Sequence, residues 1–191
     1  MPQDAGMFFG SLKSQKWCPV RQWRMEGANV SKNVAAVLTT VGSLTRFLER
    51  HYGMQLSVVV HDQFVDRASA DETALLDCAD HASCLRRQVS LLHRDAVMFD
   101  AESVLPLEYL PADLMNELQE GKRPLGNLLL DRGLSLSRSD LSIVQITGEG
   151  THADRWGRRS VLRSPSGTRA LVVEVFHPEI WKRLQLLLRR P

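Results

Sequence analysis

The stretch RALVVEVFHP, residues 169–178, decides how this chain is read. Leu171, Val172, Val173, Val175 and Phe176 are β-branched or large apolar residues, the composition of a strand bound for the interior. Glu174 stands in their midst. A carboxylate in such a run costs free energy unless it is paired, protonated or used. The stretch therefore predicts a core strand that carries a polar task.

Working outward, WGRRSVLRS (156–164) and TRALVVEVF (168–176) predict two strands joined by the turn sequence SPSG. LRRQVSLLHR (85–94) and VMFDAESVLP (97–106) predict another pair with a tight turn near Asp95, and Pro106 ends the second. LSVVVHDQFV (56–65) and DLSIVQI (140–146) read as further strands. From Ser31, a natural N-cap, Val34, Val37, Leu38, Val41, Leu44 and Phe47 recur at helical spacing, with Gly42 and Ser43 as a break. ADLMNELQE is helical, PLGNLLLDRG is a short helix opened by Pro124 and closed by Gly133, and IWKRLQLLLRR is an amphipathic helix. The polar stretch Asp66 to Ala82 reads as a surface excursion with solvated carboxylates. Trp17, Cys18 and Trp23 are candidate anchors in a variable segment, residues 1–30. Helices, then strands, then short helices, then strands suit an α+β domain with a mostly antiparallel sheet.

The 191 residues suffice for one domain, 1–191. Hydrophobic residues at 43% and charged residues at 24% describe a globular chain, and a net charge of +2 argues for no nucleic-acid partner. No signal peptide and no apolar run of membrane-spanning length are seen, and three cysteines argue against a disulfide framework. A cytoplasmic location is expected.

Several motifs carry little. Cys78, His81 and Cys84 are zinc-like ligands, but a structural site needs four and no second pair lies nearby, so no metal is expected. HRD at 93–95 lacks every other kinase signature, and GEG at 148–150 lacks the Lys and Ser/Thr of a phosphate loop. His61 and His177 read as strand or rim residues. Three charges in apolar strands are more informative: Arg87, Glu102 and Glu174. If Arg87 points inward it offers a planar fork for a carboxylate, and with an inward Glu it makes a polar pocket in an apolar core. A plain Arg–Glu ion pair is the competing explanation.

These segments resemble the bacterial chorismate pyruvate-lyases. WGRRSVLRSPSGTRALVVEVFHP is similar to their C-terminal hairpin, GKRPLGNLLL to their G-K-x-P-L-G segment, and LRRQVSLL with SVLP to their L-R-E-[IV] strand and its partner. GSLTRFLER and LSVVVHDQFV match their S-[ML]-T turn and the following strand, so the likeness spans residues 40–178 in family order. The resemblance implies a six-stranded antiparallel sheet whose helices enclose a buried ligand site. It also implies a monomer that converts chorismate to 4-hydroxybenzoate and pyruvate with neither cofactor nor metal, the step that supplies the ubiquinone ring. Residue by residue, Arg87 and the Leu125 amide fall on the groups that grip the ring carboxylate, Leu44 on the residue that closes the pocket, and Glu174 on the glutamate at the ether and 4-oxygen end.

Glu174 could protonate the leaving ether oxygen if its pKa is raised, or accept the ring proton if it is ionised; the sequence leaves both open. Helices around Leu44 and Leu125 would act as flaps. Glu102 departs from the family, which carries arginine there near the ligand entrance; a carboxylate would repel a dianion or pair with Arg87 in an empty site. That departure is the best argument for one alternative, a same-fold enzyme of a related hydroxybenzoate; two further alternatives are a non-catalytic aromatic-acid sensor and a partner-binding relative. The same fold serves as an effector-binding domain of transcription regulators, but the residues before Ser31 lack a recognition-helix pattern.

Overall fold

The computed structural model describes residues 12, 15–25, 29–121, 123–132, 137–149 and 152–187. The strands are β1 (Cys18–Pro19), β2 (Ser57–Arg67), β3 (Ser83–His93), β4 (Ala96–Pro106), β5 (Ser137–Gln145), β6 (Trp156–Arg163) and β7 (Arg169–Phe176). The helices are α1 (Val20–Met25), α2 (Lys32–Thr39), α3 (Leu44–Tyr52), α4 (Ala70–Leu76), α5 (Ala112–Glu120), α6 (Leu125–Asp131) and α7 (Pro178–Leu187). All strand pairs are antiparallel, in the order β1-β5-β6-β7-β4-β3-β2.

The α+β class is as expected, but the sheet has seven strands rather than six. The added one is β1, where Cys18 and Pro19 pair with Ile143 and Ser142 at the β5 edge. A two-residue strand leaves no periodic trace in sequence. The break at Gly42–Ser43 occurs: Ser31 caps α2 by accepting from the Val34 amide, and Ser43 caps α3 by accepting from the Arg46 amide. The β3–β4 turn is Arg94–Asp95, with Arg94 at φ 56°. Gly133, the expected helix terminator, lies outside the described residues.

The Asp66–Ala82 stretch is more than a surface excursion. Ser69 and Glu72 form a reciprocal capping box that starts α4. Glu72 and Leu76 are buried. Both sheet faces are therefore covered. On one face, α2, α3 and α7 pack on Val89, Leu91, Phe99 and Phe176, while α5 and α6 pack on Leu85, Leu105, Leu162 and Val172. On the other face, Leu76 packs on Cys84, Val104, Val161 and Leu171. Burial on both faces explains why β7 reads as a nearly continuous apolar run and why β3 and β4 show no polar-out alternation.

Candidate active site

Period-two geometry assigns each strand residue to a face. Arg87 on β3 pairs with Ser103 on β4, and Glu174 on β7 pairs with Ala101 on β4 and Arg158 on β6. Arg87, Ser103, Ala101, Glu174 and Arg158 thus share the helix-covered face. Two strand spacings and one two-residue step separate the Arg87 and Glu174 backbones by roughly 12 Å. Between them is a small cavity of about 50 Å³. All four sequence-predicted residues line it: Leu44 from the start of α3, Arg87, Leu125 from the start of α6, and Glu174.

Arg87 is 1% exposed. Its one hydrogen bond among the described residues is from Nη2 to the Arg123 carbonyl, at 3.2 Å, and Nε has no partner. Among the described residues no carboxylate neutralises it. Burial pushes its guanidinium down to about 10. A buried, uncompensated cation facing a cavity is a receptor for an anion. Leu125 and Gly126 open α6, where first-turn N–H groups lack intrahelical acceptors. They line the same cavity.

The other end holds a carboxylate between two arginines. Arg158 is fully buried and grips both Glu174 oxygens, Nε on Oε2 and Nη2 on Oε1 at 3.1 Å. Its Nη1 donates to the carbonyls of Val37 and Thr40, at 3.0 and 3.1 Å. Arg138 Nη2 lies 3.6 Å from Glu174 Oε1. Burial would raise the Glu174 carboxyl, but the charges of Arg158 and Arg138 and the hydrogen bonds of Arg158 outweigh it and hold the group below its ordinary value. Of the two protonation states open from sequence, this environment favours the ionised one.

The α3 and α6 ends meet over the cavity. Thr45 Oγ1 donates to Asn127 Oδ1 at 3.0 Å, and Arg46 pairs with Asp131 at 2.8 Å. A Cβ on Gly126 would sit 3.3 Å from Ser43 Oγ, so the absent side chain lets the helix ends touch.

Glu102 is not at this site. Its register partner is Gln88, which places it on the opposite face from Arg87. It accepts from Arg86 Nη1 at 3.2 Å and from Gln88 Nε2 at 2.8 Å. Arg86 also makes a two-pronged contact with Glu72, at 2.9 and 2.7 Å. Thus Glu102 neither pairs with Arg87 nor reaches the cavity between the flaps; the one-residue parity of the strand separates them. Glu102 and Glu72 instead border a second cavity, about 290 Å³, with Trp17, Arg159, Leu171 and Val173. Arg159 stacks on Trp17, 4.9 Å from the ring centroid.

The same face buries Asp100, which accepts from Ser90 Oγ at 2.6 Å and faces His177 Nε2 at 2.5 Å and His152 Nε2 at 3.4 Å. His61 Nε2 is 2.6 Å from Ser90 Oγ. His177, His152 and Ser90 meet the one Asp100 carboxylate, and His61 joins the cluster through Ser90. Among the described residues no group of three or more His, Cys, Asp or Glu could hold a metal ion. Cys84 is buried, and that burial pushes its thiol up to about 11.

Arg138 and Arg158 were not singled out from sequence. Arg158 was within reach: the SPSG turn fixes the β6–β7 ladder, and counting back from Arg163↔Arg169 sets Arg158 opposite Glu174. Arg138 was not, because a bulge between Ser139 and Ser142, with Asp140 at φ 54°, breaks the period of β5.

One antiparallel sheet covered by helices has solved counterparts. The effector domain of PhnF from Mycobacterium smegmatis superposes with a TM-score of 0.61 at 14% identity, covering 72% of this chain and 90% of that one. At that identity the likeness concerns the fold alone. The family described as Chorismate lyase matches residues 14–186, and the chain belongs to this family of lyases. It is 33% identical over 149 residues to a probable chorismate pyruvate-lyase of Methylococcus capsulatus, covering 73% of this chain and 91% of that protein. It is 31% identical over 170 residues to a chorismate pyruvate-lyase of Hamiltonella defensa, covering 88% and 91%. No helix among the described residues is long and apolar enough to cross a membrane.

Proposed function

We propose that this protein eliminates pyruvate from chorismate to leave 4-hydroxybenzoate. The observation that carries this reading is Arg87, a buried guanidinium with no carboxylate partner among the described residues, lining the cavity between α3 and α6. A ring carboxylate would supply that counter-ion, held by the Arg87 fork and by the Leu125 amide. The far end of the ring would then face Glu174.

The reaction is redox-neutral. The bond from C3 to the ether oxygen breaks and its electron pair leaves on the pyruvate enolate. The C4 proton is lost, and the C–H pair closes the third ring double bond. The freed proton ends on the pyruvate methylene carbon. Aromatisation supplies the driving force, so the protein has to position the ring and receive a proton. An ionised Glu174 suits the acceptor role, and its depressed carboxyl argues against protonation of the ether oxygen.

A cavity of about 50 Å³ is smaller than the substrate. Substrate therefore requires the α3 and α6 flaps, carrying Leu44 and Leu125, to part and reclose. Opening breaks the Thr45–Asn127 and Arg46–Asp131 contacts, so product release is the expected slow step. The test is direct: mix protein with chorismate, and measure 4-hydroxybenzoate by chromatography and pyruvate by a coupled dehydrogenase. Equal amounts of both, abolished by Arg87→Ala, support the proposal. Pyruvate with a different aromatic product would overturn the regiochemistry, and no turnover with tight hydroxybenzoate binding would make the protein a binder.

A further inference from the structure

Chorismate carries two carboxylates, one on the ring and one on the enolpyruvyl group; 4-hydroxybenzoate carries one. The buried charges on the cavity face are the guanidiniums of Arg87, Arg138 and Arg158 and the carboxylate of Glu174, a net of +2. A monoanion leaves one of those charges uncompensated in a low-dielectric site, while a dianion matches the set.

The three cations are not equally available. Arg87 is at the opposite end from Glu174 and is matched by the ring carboxylate. Arg158 has a partner on each of its three nitrogens, with Nε and Nη2 on Glu174 and Nη1 on two backbone carbonyls. Arg138 is held but not saturated. Its Nε donates to the Gly42 carbonyl at 2.9 Å and its Nη1 to Ser160 Oγ at 2.6 Å. These two bonds fix the guanidinium plane. Nη2 has no hydrogen-bond partner among the described residues; Glu174 Oε1, at 3.6 Å, is beyond hydrogen-bond length. The side chain is 5% exposed and lines the cavity.

We infer that Arg138 is a second anion subsite of this cavity, its Nη2 group holding the carboxylate of the enolpyruvyl arm that departs as pyruvate. The inference rests on the lyase reading and gives it a substrate rule: the site takes a benzoate-like ring whose meta ether carries a second carboxylate. The departing enolate then forms beside a fixed cation, where its growing charge is stabilised without rearrangement. The Arg138 bond to Gly42, in the turn before α3, places this subsite against the base of a flap.

Three inert probes test it by calorimetry: 4-hydroxybenzoate, 3-ethoxybenzoate, which has the ether alone, and 3-(1-carboxyethoxy)benzoate, which has the ether and the second carboxylate. Wild-type protein should bind the dicarboxylate at least about 10-fold tighter than 3-ethoxybenzoate, the scale of a charge-assisted contact. Arg138→Met should remove that preference yet hold 4-hydroxybenzoate within about threefold, and should raise the KM for chorismate about 10- to 100-fold. Arg138→Lys should recover part of the preference, since it keeps charge but not the fork. Equal affinity of the wild type for the two ether probes overturns the inference, and needs no variant to fold. Equal weakening of all three probes by Arg138→Met also overturns it, making Arg138 a structural support of Glu174. Wild-type protein that neither converts chorismate nor binds 4-hydroxybenzoate refutes the lyase reading itself, an outcome distinct from both.

Discussion

Arg86 and Arg87 are neighbours on β3 and leave it on opposite faces of the sheet. Arg86 is met by Glu72 and Glu102, with Asp66 at 3.4 Å, inside a network that α4 closes. Arg87, equally buried, meets among the described residues one backbone carbonyl and no carboxylate. Both are costly to desolvate, yet only one is compensated within the protein. The face with Arg86 spends its charges on structure. The face with Arg87 keeps a cation unmatched, which favours an arriving anion over an internal partner.

The sharpest way to break this contrast is to exchange each arginine for methionine. Arg87→Met should lower kcat/KM by about 10³-fold, the upper range for one partner of a buried charged contact. It should not lower the melting temperature. The folded-state value of Arg87 is depressed by burial to about 10, so its charged form opposes folding at every pH below that. That penalty fades as pH rises through about 10 toward the ordinary arginine range, and methionine removes it. A large loss of stability on this replacement would show that Arg87 is structural.

Arg86→Met should behave in the opposite sense. It strands Glu72 and Glu102, and urea unfolding should show a loss of about 3–5 kcal/mol. At a temperature where the variant is folded, its KM for chorismate should stay within about threefold, as ordinary for a residue on the far face.

Glu174→Gln bears on the catalytic face alone. The rate should fall about 10²-fold or more if the carboxylate receives the ring proton, and a near-normal single-turnover rate would refute that role. Acid titration compares both faces at once. Glu72 and Glu174 are each held below 4.5, Glu72 because hydrogen bonds and charge from Arg86 and Ser69 outweigh its burial. A depressed carboxyl adds stability that is fully present above the unfolded value and lost as pH falls through the folded one. Urea midpoints should therefore decline below about pH 4.5, and Arg86→Met should flatten the part due to Glu72. The smallest effect is expected at Glu102: Glu102→Gln should change kcat/KM less than about threefold, as for a position with no contact to the cavity. A large change would place it back at the substrate.

Much of the lining of the cavity between α3 and α6 was legible before the structure. Arg87, Leu125, Leu44 and Glu174 each sit in a local motif, and local motifs bring their backbone geometry with them. The helix break at Ser43 and the SPSG turn were equally readable, because capping and turn chemistry act over three or four residues. Glu102 was misplaced: strands covered on both faces show no alternation, so nothing in DAESVLP says which face each side chain takes. The α4 cover was missed for a related reason. Its capping box was visible in Ser69 and Glu72, but the value of Glu72 depends on Arg86, fourteen residues away and in another element.

The sequence by itself determined the class of fold and most of the local elements, since propensity, capping and turn preference are short-range. Only the tertiary structure decided which arginine would be satisfied. Charge compensation is a through-space property, set by strand register and by the helix laid over each face. One residue of register separates an arginine held by two glutamates from an arginine left open to a ligand.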